Sequence, residues 1–266
     1  MPSRVSPGLT DAKLAAAVEL NAAEWVRLQG RLPWVEWHDD GNAQWVFAGN
    51  TYPRNSVALA RFAPETARRR INEIVDYHAS RGAPCNWVTG PVSGPDSLPQ
   101  ELRASGFKCM IHCAGMACDL DRIRTVSKAA VRVRLQPVEE GLVLQPLTTE
   151  RRRLRQKGKT VMAQFEPKQV WHFGAFVDER AVGETSLCIG AGVAGVVDVE
   201  VLEEFRGRGI GTALVHHAVQ HAKNLGFRVA VLAATGMGVG VYGRVGFQKV
   251  GTLSFWRYKV RNTERV

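Results

Sequence analysis

Apolar residues recur near a 3.6 period after Thr10-Asp11, at Leu14, Val18, Trp25 and Leu28, and Gly30 marks the stop, so the chain opens with a predicted long helix. RLPWVEWHDDGNAQWVFAG then predicts an extended pair turning at residues 39–42, and NSVALARF a further strand. Pro64-Glu65 opens a second helix with Ile71, Ile74, Val75 and His78 on one face, closed at Arg81-Gly82. NWVTG predicts a short strand, SLPQELRASGF a short helix and FKCMIHCAGMACDL a strand pair.

Residues 122–134 are basic and poor in large apolar groups, which sets a domain boundary and divides the chain into 1–125 and 126–266. Beyond it VRVRLQPV and LVLQPL predict strands, and residues 149–159 a polar helical patch. VWHFGAFVDERAVGETSLCIG predicts a hairpin turning at Asp178-Glu179-Arg180, and GVAGVVDVEVL another strand. A glycine-led helix (206–225), the strand FRVAVLAA, a short helix through GMGVGVYGRVGF and a closing strand pair at QKVGTLSFWRYKV follow. Strands alternating with helices imply an α/β fold. The halves echo one another: long helix, strand, short helix, strand pair, with Gly106-Phe107 and Gly246-Phe247 at corresponding points. That order predicts a duplication whose first copy lacks the glycine cluster.

The cluster is Arg206-Gly207-Arg208-Gly209-Ile210-Gly211, placed at a helix start where glycine is a poor choice. A close backbone approach to an anion explains it, because helix N-termini present unpaired N–H groups and a positive dipole end. Amides from about Arg208 to Thr212 can cradle a pyrophosphate. Gly209 and Gly211 keep side chains away, Thr212 offers a hydroxyl, and Arg206 and Arg208 add charge. A dinucleotide fingerprint needs an acid at the end of the next strand, and FRVAVLAATGMG has none. No Gly-Lys-Ser/Thr follows for a Walker loop.

A net charge of +10 favours anionic ligands without choosing among them, and nucleic acid is not the expected partner. Five cysteines, an odd number, agree with a reducing compartment, and no secretion signal or membrane span is read. The expected location is the cytoplasm. Cys109, Cys113 and Cys118 surround His112, but strand alternation would turn His112 to the face opposite Cys109 and Cys113, and no metal is expected.

VEVLEEFRGRGIGTAL resembles the acyl-CoA-binding motif of the GNAT superfamily of N-acetyltransferases, Arg/Gln-x-x-Gly-x-Gly/Ala, filled here by Arg206, Gly209 and Gly211. VYGRVGF resembles that family's Tyr-x-x-x-Gly-Phe segment, with Tyr242, Gly246 and Phe247 in register. The resemblance implies two tandem GNAT-like mixed sheets flanked by helices, the N-terminal copy degenerate and completing the acceptor pocket. It also implies acetyl-CoA as cosubstrate, held by Val199 and Val201 through their backbone and by Arg206, Gly207, Arg208, Gly209, Ile210, Gly211 and Thr212. The implied reaction is acetyl transfer to a primary amine of a small molecule by direct attack, with Tyr242 as general acid. The corresponding position of the first copy is Leu102, which has no proton to give. Alternation puts Asp198 and Glu200 on one strand face, and the base is sought first at Glu200, then Asp198, then Glu184. Trp34, Trp37, Trp45 and Trp87 are candidates for an aromatic wall, and His172, His216 and His217 for structural roles. Two other readings stay open: a protein or peptide N-acetyltransferase, and a non-catalytic acyl-CoA sensor. A homodimer is compatible with either half.

Overall fold

The structure, a computed structural model, describes residues 9–126, 134–138, 142, 144 and 149–259. In chain order the N-terminal half contains α1 (Asp11–Gln29), β1 (Glu36–Asp39), β2 (Gln44–Phe47), β3 (Ser56–Ala58), α2 (Ala67–Ala79), β4 (Cys85–Thr89), α3 (Leu98–Ala104) and β5 (Lys108–Asp119). The C-terminal half contains β6 (Arg134–Val138), α4 (Glu150–Ala163), β7 (Val170–Val177), β8 (Arg180–Gly190) and β9 (Val193–Val201). It ends with α5 (Ile210–Asn224), β10 (Val229–Ala234), α6 (Gly236–Val245) and β11 (Gln248–Tyr258).

The two expected sheets are continuous. Eleven strands run in the order β1-β2-β3-β4-β11-β5-β10-β9-β8-β7-β6. Each half's last strand crosses to the other: β11 lies between β4 and β5, and β5 lies between β11 and β10. The segments expected as strand pairs at FKCMIHCAGMACDL and QKVGTLSFWRYKV are therefore single long strands, kept from folding back by the partner each finds in the opposite half. LVLQPL lies largely outside the described residues.

Helix α1 begins at the Thr10 cap, whose side chain accepts from Lys13 N–H, and crosses β5, β8, β9, β10 and β11 on one face of the sheet. Small residues let it sit close. A Cβ on Gly195 would lie 1.7 Å from Asn21 Oδ1, and one on Gly251 2.8 Å from Ala15 Cβ. Asn21 is buried there and donates to the Cys188 and Gly190 carbonyls, so the close approach leaves its amide paired. On the same face α4 packs through Met162 beside Leu28, Val170 and Cys188. The opposite face carries α2 and α3 over Trp87 and Val57, and α5 with α6 over Leu187, Val196 and Leu232. Gly106 and Gly246 both take positive φ after their short helices, +90° and +120°, so the two repeats turn alike into β5 and β11.

Candidate functional site

The pairing of β10 with β9 is parallel and brief: Ala230 faces Ala194, Val231 faces Gly195, and the strands then part. Beyond that point β9 continues along β8 but, among the described residues, has no strand on its other side, which opens a slot between Val196–Val201 and Leu232–Ala234. At the mouth of the slot stands the start of α5. Gly207 (φ +74°) and Gly209 (φ +83°) occupy left-handed conformations, and Gly209 is the N-cap. The first helical bond runs from Ala213 N–H to the Gly209 carbonyl, so the amides of Gly207 to Thr212 have no acceptor among the described residues. The helix starts at Ile210 rather than at 206, because the two left-handed glycines hold residues 206–209 in a loop. Gly211 takes ordinary helical geometry, and a Cβ there would be 3.8 Å from Val201 Cγ2, at ordinary contact. Arg206 turns back to donate from Nε to the Val201 carbonyl at 3.1 Å, which fastens the loop to the strand end.

Strand β9 carries a bulge. Glu200 pairs with Glu184 and Val197 with Ser186, leaving Asp198 and Val199 opposite Thr185, and Asp198 sits at φ +53°. The bulge switches the alternation, so Val199 and Val201 join Val196 over α5 while Asp198 and Glu200 face α4. There Arg155 lies 2.9 Å from Glu184, 3.0 Å from Glu200 and 4.0 Å from Asp198. Burial disfavours the Arg155 charge, but the three carboxylates overcome it and hold the guanidinium pKa above its ordinary value. Lys159, one turn on and 1% exposed, places Nζ 2.8 Å from Glu184 Oε1 and 3.8 Å from Asp198 Oδ2.

These groups line a cavity of about 1090 Å³ whose walls come from both halves. Tyr242 of α6 lines it too, half-buried, and burial raises its phenol pKa, with Cys113 close enough to add to the effect. Gly238 makes room for that ring, since a Cβ there would meet Tyr242 Cε2 at 2.6 Å. Leu102, its counterpart in the first repeat, is fully buried against the N-terminal core. The N-terminal half supplies Trp25, Tyr52, Arg54 and Asn86 to the walls, and β11 supplies Trp256 and Arg257.

The aromatic wall is thus not the one expected. Trp34, Trp37, Trp45 and Trp87 are absent from it: Trp87 is sealed in the core of α2, α3 and β4, Trp45 packs against that same core, and Trp34 and Trp37 pack against two other clusters. Trp25 and Trp256 take their place, one on a helix read for its periodicity and one on a strand read for its alternation. Arg155 and Lys159 lie in the segment expected as a polar helical patch, 149–159, with no role expected for either. Their i, i+4 spacing opposite a three-carboxylate strand pair was the available signal.

His112 departs from strand alternation as well. A bulge at Met110 brings Cys109 Sγ to 3.6 Å from His112 Nε2, on the same side, while His112 Nδ1 lies 2.8 Å from Ser254 Oγ. No group of three metal-ligating side chains occurs among the described residues. His172 is buried with Nε2 2.9 Å from the Lys159 carbonyl, so that nitrogen carries the proton and Nδ1 accepts from Ser186 Oγ at 2.7 Å. His217 and His221 of α5 pack edge-on against Phe173, on the face away from α4. No helix among the described residues is long and apolar enough to cross a membrane.

Comparison with known proteins agrees with this geometry. Residues 143–247 match the family model described as the acetyltransferase (GNAT) family. A search of curated proteins finds no significant match. Among solved structures, a GCN5-related N-acetyltransferase from Kribbella flavida superposes with a TM-score of 0.63 at 16% identity, over 90% of this chain and 95% of that one. A GCN5-related N-acetyltransferase from Sphaerobacter thermophilus gives 0.56 at 18% identity, over 97% and 96%. A tandem GNAT protein from the clavulanic acid biosynthesis pathway gives 0.57 at 16% identity, over 99% and 92%. Residues 143–247 are thus a domain of the acetyltransferase (GNAT) family, and the chain shares its fold along nearly its whole length with GCN5-related N-acetyltransferases.

Proposed function

We propose that the protein transfers an acetyl group from acetyl-CoA to a primary amine on a small molecule by direct attack. The observation that carries this reading is the convergence on one cavity of the parted β9–β10 edge, the half-buried Tyr242 phenol and the Asp198–Glu200 carboxylates. The residues fit the cosubstrate. Six successive amides without acceptors among the described residues, Gly207 to Thr212, suit a pyrophosphate, and the open edge of β9 from Val199 to Val201 suits the amides of a pantetheine arm. When bound, acetyl-CoA supplies the activated thioester carbonyl and a thiolate leaving group.

Tyr242 delivers its proton to the departing sulfur. A raised phenol pKa keeps that proton in place at neutral pH, and a thiolate whose conjugate acid has a pKa of about 8.5 needs only modest help to leave. A carboxylate of β9 takes the proton from the amine. The ion pairs favour Asp198 over Glu200 for this role, because Glu200 is held at 3.0 Å by Arg155 whereas Asp198 stands 3.8 Å and 4.0 Å from its cations. Glu184, 3% exposed and bound by both Lys159 and Arg155, holds the two cations in place. A cavity walled by both halves suits a small acceptor better than a protein surface. Residues 1–125 would serve as the acceptor-side domain and 126–266 as the acyl-CoA domain, and the free cysteines suit the cytoplasm.

The test is calorimetric titration with acetyl-CoA followed by thiol-release assays across an amine panel. We expect one site per chain, turnover with small amines, and a fall in kcat of about a hundredfold in Tyr242→Phe with acetyl-CoA affinity retained. An unchanged kcat removes Tyr242 from the reaction; binding without turnover on any amine favours the sensor.

A further inference from the structure

Several basic side chains at the surface have an acidic neighbour. Arg68 pairs with Glu101, Arg69 with Glu73, Arg70 with Asp40, and Arg180 with Glu204. Three guanidiniums on the cavity wall do not. Arg54, from the connection between β2 and β3, Arg151, in the first turn of α4, and Arg257, near the end of β11, have no carboxylate partner among the described residues. Yet they lie close enough to repel one another: burial first, then the charges of Arg54 and Arg257, lower the Arg151 pKa. Arg257 Nε is shut away from solvent and finds no acceptor among the described residues. Chain positions about two hundred residues apart thus bring like charges together at one rim, an arrangement that costs free energy unless an anion occupies it. The start of α4, capped by Thr149, adds the positive end of its dipole to the same wall.

This rim lies across Tyr52 from the carboxylates. The Tyr52 ring fills the space left by Gly158, where a Cβ would meet Tyr52 Cε1 at 2.8 Å, and its hydroxyl is sealed within reach of the charges of Asp198, Arg155 and Glu184. Arg151 in turn feels Tyr52. The cavity is therefore dipolar, with Asp198 and Glu200 at one end and the arginine rim at the other.

Building on the acetyl-transfer reading, we propose that Arg54, Arg151 and Arg257 form a subsite for an anionic group of the acceptor, which makes the acceptor a dipolar amine bearing a carboxylate or a phosphate. The amine lies toward Asp198 and Glu200, and the anion is clamped by the three guanidiniums. The three arginines select substrate and take no part in bond making.

Calorimetry on protein saturated with CoA, which cannot react, tests this with three amines of similar length: 4-aminobutanoate, 3-aminopropyl phosphate and 4-aminobutanamide. We expect at least one acid to bind about tenfold or more tighter than the amide, as charge-assisted hydrogen bonds would give. The stronger acid identifies the group as carboxylate or phosphate. In Arg54→Ala/Arg257→Ala that preference should vanish while CoA affinity is retained. Equal affinity for acids and amide, no binding of any of the three, or a preference that survives in the double variant overturns the subsite. Should CoA itself fail to bind, the acetyl-transfer reading falls, and the same titrations on unliganded protein still decide the rim.

Discussion

Lys159 Nζ lies 2.8 Å from Glu184 Oε1, and both side chains are almost completely withdrawn from solvent, at 2% and 4% exposure. Removing one partner of such a pair leaves an ion without its counter-charge, at a typical cost of about 3–5 kcal/mol. Arg155, at 2.9 Å, still neutralises Glu184 when Lys159 is lost, so the lower end applies. Lys159→Met should reduce unfolding free energy by about 3 kcal/mol, and Lys159→Met/Glu184→Leu should recover part of it. Urea denaturation of the three proteins checks this. A single variant as stable as the parent would show the pair to be energetically idle.

His172 gives stability a defined pH dependence. Burial first, and then the Lys159 charge, push its pKa down to about 4 from an ordinary value of about 6.5. The unfolded chain takes up this proton as pH falls through 6.5, while the folded chain refuses it until near 4. The contribution is complete above pH 6.5 and is lost progressively between 6.5 and 4, on the order of 3 kcal/mol in all. His172→Gln, which keeps a donor and an acceptor but does not titrate, should flatten that part of the curve. Urea midpoints at pH 7.5, 5.5 and 4.5 measure the difference, and equal slopes would remove His172 as the cause.

Two glycines of α6 should respond in opposite ways to the same substitution. Gly240 has nothing within 4 Å of an added Cβ, so Gly240→Ala should stabilise the protein by about 0.5–1 kcal/mol through helix propensity. At Gly238 the added methyl meets the Tyr242 ring at 2.6 Å and must displace it. Gly238→Ala should lower kcat at least tenfold while thermal unfolding stays cooperative, since a misplaced proton donor is costly in rate. Turnover and melting measured on both variants decide the matter, and equal kcat values would show the ring to be free to adjust.

What the sequence made legible is local. The RGRGIG loop, the β7–β8 hairpin turning at Asp178-Glu179 and the placement of Tyr242 on a short helix before Gly246-Phe247 all follow from neighbouring residues. The bulges at Asp198 and Met110 were hidden, because a bulge is defined by the partner strand: Asp198 is extra only against Thr185, and Met110 only against β11. The exchange of β5 and β11 was hidden for the same reason, since pairing between strands more than a hundred residues apart leaves no mark in either. Arg155 and Lys159 looked solvated in a helix of mostly polar residues. Their burial comes from Glu184, Asp198 and Glu200 on strands that meet them only in three dimensions.

The choice of base can be settled at the β9 bulge. Asp198 adopts φ +53°, a conformation asparagine also tolerates, so Asp198→Asn removes the charge with the bulge preserved. Glu200→Gln removes the closer of the two β9 partners of Arg155 and leaves Glu184 and Asp198 to hold that guanidinium. If Asp198 accepts the amine proton, Asp198→Asn should lower kcat/KM by about 10²–10³. Glu200→Gln should change KM for the amine more than kcat, because its carboxylate contributes to the field of the cavity without receiving the proton. The reverse pattern would transfer the role to Glu200. Equal, small losses in both would mean that the amine arrives already deprotonated, with β9 serving only to position it.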